Sequence, residues 1–273
     1  MICGVVKVNI ASLYLDASEY FVLVDEALHG TDVNITKELE NFYKVETFYG
    51  YEGYVQKSQI EICEDNIQSW NAKIKMTVTK PYVDIKIDPK IQSHIIGGLS
   101  KGSVVATYKN KSFGGYRKIY LVDGTEGYIR EEFLTEYIKP SITPDIIDEE
   151  NIRNNIVENA ISYLGAQYRW GGKTSLGIDC SGLCFISYLL EGITIFRDAK
   201  IKEPFPIKKI DIGIIKKADL IFFKDHVGIY IEKSQFIHSS YKNNGVHINS
   251  LNPQDENYNE ELSKSITCIG SIF

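Results

Sequence analysis

Along the first half of the chain, apolar and polar residues alternate in short runs around glycine turns, as in Val104-Val105-Ala106-Thr107-Tyr108 and Tyr116-Arg117-Lys118-Ile119-Tyr120-Leu121. A period of two puts alternate side chains on opposite faces, so these runs read as short strands. The pattern occurs twice. Phe48-Tyr49-Gly50-Tyr51-Glu52-Gly53-Tyr54-Val55-Gln56-Lys57 returns in outline as Val122-Asp123-Gly124-Thr125-Glu126-Gly127-Tyr128-Ile129-Arg130-Glu131, with Glu-Gly-Tyr 74 residues apart. Leu28-His29-Gly30-Thr31-Asp32-Val33 is echoed by Leu99-Ser100-Lys101-Gly102-Ser103-Val104, with glycines 72 residues apart. Two features sharing nearly one offset predict tandem copies. Several short strands in each copy predict two small all-β barrels, over 1–70 and 71–139, since closing a sheet removes exposed edges.

The break between Pro140 and Pro144, followed by the acidic run Asp145 to Glu150, predicts a linker over 140–149. Beyond it the period changes. Ile152, Ile156, Val157, Ala160 and Leu164 share one helical face, with Gly165 as the stop. A second helix starts near Cys180, carries Leu183, Ile186, Ser187 and Leu190 at helical spacing, and stops at Gly192. Strands follow at Leu220 to Phe223, Val227 to Ile231, Phe236 to His238, Val246 to Ile248 and Ile266 to Ile272. Helices first and antiparallel strands second predict an α+β domain over 150–273.

Composition narrows the function. A formal net charge of −6, without a dense basic stripe, argues against nucleic acid as a partner. No apolar segment approaches membrane-spanning length, and Met1-Ile2-Cys3-Gly4-Val5-Val6-Lys7 is too short for a secretory signal, so no membrane partner is expected. Five scattered cysteines (Cys3, Cys63, Cys180, Cys184, Cys268) suit free thiols in a reducing compartment, and the expected location is cytoplasmic.

The candidate chemistry centres on Asp179-Cys180-Ser181-Gly182. A cysteine at a helix start lies at the positive end of the macrodipole, beside amides without intrahelical partners. Both favour the nucleophilic thiolate, and the same amides can hold an oxyanion. The alternative is a small buried residue, as free cysteines often are. Polar, small neighbours disfavour that for Cys180, whereas Cys184, among Leu183, Phe185 and Ile186, fits it. The base must come from His226, His238 or His247, because His29 and His94 fall in the repeats. A hairpin around Glu232-Lys233-Ser234 sets Gly228 opposite His238 and His226 opposite Ser240, which brings both histidines onto one sheet face. A helix-start cysteine with two such histidines has the logic of a Cys-His-polar triad. Neither a metal nor an organic cofactor is called for; a zinc site on Cys180, His226 and His238 lacks a close-spaced Cys or His pair.

The repeats resemble bacterial SH3-like modules through their Gly-x-x-Gly-(Trp/Tyr)-(Val/Ile) signature. Residues 150–273 resemble the NlpC/p60 family of cell-wall cysteine peptidases, within the papain-like superfamily. The resemblance rests on Tyr168-x-Trp170-Gly171-Gly172, Asp179-Cys180-Ser181-Gly182, Ala218-Asp219-Leu220-Ile221-Phe222-Phe223, His226-Val227-Gly228-Ile229-Tyr230-Ile231 and Phe236-Ile237-His238-Ser239-Ser240. It implies Cys180 as nucleophile, His226 as base and His238 as orienting residue. Two SH3-like modules before such a domain resemble the γ-D-glutamyl-L-diamino acid endopeptidases, which act on short peptidoglycan-derived peptides with free N-terminal L-Ala during wall recycling. The resemblance then implies Tyr168, Asp179 and Ser181 in the substrate site, Asp198 as acid for the substrate amine, and Tyr51 as a tyrosine supplied by the first module. The family's Arg-Asp-Ser element reads Arg197-Asp198-Ala199, so its serine is lost. Two other readings are an inert wall-fragment or partner-binding protein and a papain-like acyltransferase.

Overall fold

The computed structural model describes residues 2–17 and 21–273. The chain divides into two compact units, one ending at Tyr137 and one spanning Ile138–Phe273. Strands predominate, helices are few, and several separate sheets form.

The first unit holds β1 (Ile2–Val6), β2 (Ile10–Tyr14), β3 (Leu23–Leu28), β4 (Asp32–Glu38), β5 (Phe42–Thr47), β6 (Glu52–Gln56) and β7 (Ile60–Glu61), then helix α1 (Glu64–Asn71). A second set follows: β8 (Ile74–Val78), β9 (Tyr82–Lys86), β10 (Ile95–Ser100), β11 (Val104–Phe113), β12 (Tyr116–Tyr120), β13 (Glu126–Arg130) and β14 (Leu134–Glu136). The sheets run β3-β2-β6-β5-β4-β1-β7 and β10-β9-β13-β12-β11-β8-β14. Each label in the second order is the first advanced by seven, so the topology repeats as the sequence does.

The repeated glycines have a steric cause. A Cβ on Gly53 would stand 2.8 Å from the Leu13 Cβ, and one on Gly127 would stand 2.4 Å from the Ile85 Cγ2. Leu13 and Ile85 are equivalent core residues on β2 and β9, so the same close approach is built twice. Helix α1 is not evident from the sequence pattern, because its eight residues are mostly polar and only Trp70 is buried. Trp70 packs with Val5, Ala106 and Val122 where the two sheets of this unit meet.

The second unit contains α2 (Glu149–Ile161), the two-residue strands β15 (Lys173–Thr174) and β16 (Gly177–Ile178), α3 (Cys180–Leu189), β17 (Lys208–Ile210), β18 (Leu220–Phe223), β19 (His226–Tyr230), β20 (Gln235–Ser240), β21 (Gly245–Ser250), α4 (Glu260–Lys264) and β22 (Ile266–Ser271). Its six-stranded antiparallel sheet has the order β17-β22-β18-β19-β20-β21. The expected helical run past Ile161 does not hold: Ser162 caps α2, and Leu164 is exposed in a turn closed by Gly165 at φ +83°. Helix α3 is buried on nearly every side, from Leu183 through Tyr188, and packs against β19, β20 and α2. A helix apolar all round belongs inside a core. Its first residue, Cys180, is itself buried. Among the described residues, no helix is long and apolar enough to cross a membrane.

Candidate active site

The start of α3 is set by Asp179, whose carboxylate is its N-cap. Oδ1 accepts from the Gly182 amide at 2.6 Å and Oδ2 from the Gly171 amide at 2.7 Å. A carboxylate at a helix N-terminus satisfies orphan donors and meets the dipole favourably. Its negative charge is balanced by Arg197, whose Nη1 and Nη2 donate to Oδ1 and Oδ2 at 3.0 and 3.1 Å. Arg197, only 2% exposed, also donates to Ser181 Oγ at 2.9 Å and to the Gly172 carbonyl at 3.3 Å. Gly182 is the residue this arrangement permits, since a Cβ there would lie 2.2 Å from the Gly172 carbonyl oxygen.

Cys180 is buried at this helix start, and α3 packs against β19, the strand that carries His226 and Val227. The hairpin that carries the histidines has the expected register, with Ile229 opposite Ile237 and Tyr230 opposite Phe236. His226 and His238 meet on one face: His226 Nε2 lies 2.7 Å from His238 Nδ1. Gly228 makes room between them, because a Cβ there would come within 3.3 Å of the His238 Cβ and 3.0 Å of the Phe236 ring.

Beyond His238 the network continues to Asn249 on β21, whose Oδ1 is 2.9 Å from His238 Nε2. Asn249 Nδ2 donates to the Asn257 carbonyl at 3.0 Å, which fixes the amide orientation and leaves Oδ1 as acceptor. It follows that His238 Nε2 carries hydrogen, His238 Nδ1 accepts, and His226 Nε2 donates. The lone pair of His226 is then on Nδ1. Asn249 and Arg197 were not assigned these roles from sequence; the register of the β20–β21 hairpin was the signal that points to Asn249. His247, opposite His238 in that register, is exposed and bonds the Asn243 carbonyl instead.

Burial governs the protonation states. It pushes the Cys180 thiol up to about 11, reinforced by the Asp179 carboxylate and opposed by the backbone bond at Val227. Burial pushes His226 down to about 3, with His238 adding to the shift, and lowers His238 to about 4 against the Asn249 bond. The helix-start dipole favours thiolate, whereas burial of the sulfur acts in the opposite direction.

The other candidates fall as follows. Tyr168 is half-buried, its ring edge-on to Tyr241 at 6.2 Å, and its hydroxyl is pushed up to about 12 by burial and then by Cys180 and Asp179. It stays a phenol donor at neutral pH. Ser181 donates to Asp179 Oδ1 at 3.2 Å and lines a narrow pocket with Asp198. Tyr51 belongs to the first unit, in the turn before β6, where its amide donates to Thr47 Oγ1 at 3.0 Å. Among the described residues no cluster of three His, Cys, Asp or Glu side chains forms a metal site.

A buried cysteine at a helix start packs on the sheet that carries a hydrogen-bonded pair of imidazoles. The NlpC/P60 family model matches residues 165–263, the stretch from the end of α2 to α4. Dipeptidyl-peptidase 6 of Lysinibacillus sphaericus is 40% identical over 273 residues, covering 99% of this chain and 99% of that protein. The chain belongs to the NlpC/P60 family. It is also similar to the gamma-D-glutamyl-L-lysine dipeptidyl-peptidase of Bacillus cereus, 26% identical over 246 residues, 84% of this chain and 71% of that one. An NlpC/P60 family protein of known structure from Bacillus cereus has the same fold, with a TM-score of 0.80 over 98% of both chains at 20% identity.

Proposed function

We infer that this protein is a cysteine peptidase that hydrolyses the γ-D-glutamyl-L-diamino acid bond of short peptidoglycan stem peptides bearing a free N-terminal L-Ala. The observation that carries the chemistry is the chain Asn249–His238–His226, whose strand β19 packs against the helix that Cys180 starts. In this reading the His226 Nδ1 lone pair takes the Cys180 proton as the sulfur attacks the carbonyl carbon. His238 and Asn249 hold the imidazole in that tautomer and stabilise the imidazolium that forms. Amides of the first turn of α3 stabilise the oxyanion. The imidazolium then protonates the leaving amine, and water, deprotonated by His226, releases the acyl group.

The names of the two relatives support the dipeptidyl and γ-glutamyl parts of the proposal. Tyr168, Ser181 and Asp198 are the residues we place on the substrate, Asp198 on its terminal ammonium. Asp179 acts there through the helix start it caps. The sheets over 1–70 and 71–139 are proposed as SH3-like modules before a linker over 140–149 and a catalytic domain over 150–273. Five free thiols suit a reducing compartment, and with it cytoplasmic recycling of released peptides.

The test incubates the full chain with L-Ala-γ-D-Glu-diaminopimelate and with its N-acetylated form, with products followed by mass spectrometry. Release of L-Ala-D-Glu is expected from the first, with cleavage of the second lower by more than about tenfold, because an acid facing the amine loses its cation. Cys180→Ala should stop the reaction without shifting the melting temperature appreciably. Turnover by Cys180→Ala refutes the nucleophile; equal cleavage of both peptides refutes amine recognition alone.

A further inference from the structure

Two of the five free cysteines, Cys3 and Cys63, are exposed, and both belong to the first unit. They are about 60 residues apart along the chain, so their spacing alone does not pair them. The register of the first sheet does. Val5 stands opposite Glu61 and Val6 opposite Ile60, and the Lys7 amide donates to the Gln59 carbonyl at 3.0 Å. One register accounts for all three pairs. Carried two residues past Val5 and Glu61, it sets Cys3 opposite Cys63.

The two segments stay side by side over that stretch. A Cβ on Gly4 would lie 3.3 Å from the Glu61 carbonyl oxygen and 3.5 Å from the Ile62 Cγ2, so Ile62 still runs beside β1. Cys63 keeps an extended backbone, φ −66° and ψ 115°, before α1 begins at Glu64. The ladder itself ends at Glu61, whose Oε1 takes the Ile62 and Cys63 amides at 3.1 and 2.8 Å. Opposed residues of antiparallel segments share a face, with Cα atoms about 4.5–5.5 Å apart. A disulfide spans Cα separations of about 4.4–6.8 Å, so this register brings the two thiols within bridging range. On its other flank Cys3 opposes Asn34, and its sulfur is 3.9 Å from Asn34 Oδ1, a contact that a weak S–H donor gives up at little cost.

We propose that Cys3 and Cys63 are a reversible redox pair, oxidised by a low-molecular-weight disulfide to a bridge between β1 and the segment that follows β7. One protein thiolate attacks the small disulfide, which forms a mixed disulfide and expels one small thiolate. The second protein thiolate attacks the protein sulfur of that mixed disulfide and expels the other small thiolate. Two protein thiols lose two electrons and two protons, and one small disulfide becomes two small thiols. In a reducing compartment an exposed pair of this kind rests open, and it closes as the surroundings turn oxidising. The bridge closes a loop of about 60 residues. It ties β1 to the entrance of α1, whose Trp70 packs with Val5, Ala106 and Val122, and so acts on the stability of the first unit.

The experiment treats the full chain with oxidised glutathione and, in parallel, with dithiothreitol. Remaining thiols are then blocked with iodoacetamide, and the protein is digested with trypsin without reduction. Cleavage after Lys7, Lys57 and Lys73 leaves Cys3 and Cys63 in the peptides 1–7 and 58–73. The expected product is a linked pair of these peptides, two hydrogens lighter than their sum and separated again by dithiothreitol. Oxidised wild type should melt about 5 °C or more above the reduced protein. Cys3→Ser should abolish both the link and the shift while melting like wild type when reduced. Cys63→Ala should do the same, since the Cys63 side chain makes no capping bond to α1. Recovery of Cys3 and Cys63 on separate peptides, carrying glutathione or the alkyl group, overturns the proposal. A link that forms no faster in the folded chain than in urea overturns it as well, because the register would then not oppose the two thiols. An unshifted melting curve of the linked protein overturns the bridge's effect on the fold.

Discussion

Replacing Arg197 by Met tests how the nucleophile is held. The guanidinium is 2% exposed and makes two bonds of 3.0 and 3.1 Å to a carboxylate that is itself buried. Removing one partner of a buried ion pair strands the other, at a typical cost of about 3–5 kcal/mol. Asp179 retains the Gly171 and Gly182 amides, so the lower end, about 3 kcal/mol, applies. For a unit the size of Ile138–Phe273, that lowers its melting temperature by about 10 °C. Arg197→Lys keeps the charge but not the fork, and should lose roughly half as much. Calorimetry of the full chain reads the shift. A double-mutant cycle with Asp179→Asn isolates the pair, and a coupling energy above about 1 kcal/mol is expected. Ser181 and Gly172 lose their guanidinium bonds in the same variant, so kcat should fall while KM changes less. A melting temperature within about 2 °C of wild type, or strictly additive single changes, would refute the claim that this pair holds the helix start.

Three further outcomes are expected. Asn249→Ala removes the acceptor that sets the His238 tautomer and should lower kcat by about tenfold or more, with Asn249→Gln only partly restoring it; unchanged kcat would exclude the relay. His226, His238 and His29 are held at about 3, about 4 and about 4 by burial, whereas the unfolded chain takes up protons below about 6.5. Stability is therefore complete above pH 6.5 and is lost as pH falls towards 4, by up to about 1.4 kcal/mol per pH unit for each histidine, and a flat melting profile from pH 7 to 4.5 would contradict this. Because burial lifts the Cys180 thiol, its alkylation by iodoacetamide should keep rising with pH from 6 to 9; a plateau throughout that range would instead reveal a preformed thiolate–imidazolium pair.

Much of this protein is local in origin and was legible along the chain. The tandem topology follows from repeated alternation and from glycines that a neighbouring side chain forces at Gly53 and Gly127. The helix start at Cys180 follows from an Asp cap before an apolar run, and the placing of His226 near His238 follows from a three-residue hairpin loop. Strand period and turn length act over a few residues, so sequence spacing carries them. Other features depend on residues brought from far along the chain. Arg197 reaches Asp179 across 18 residues, and Asn249 reaches His238 only after β21 pairs with β20. Whether Cys180 is a thiol or a thiolate was also a tertiary decision. The helix dipole is written in the sequence, but the desolvation that opposes it exists only once β19 and its neighbours have closed over the sulfur.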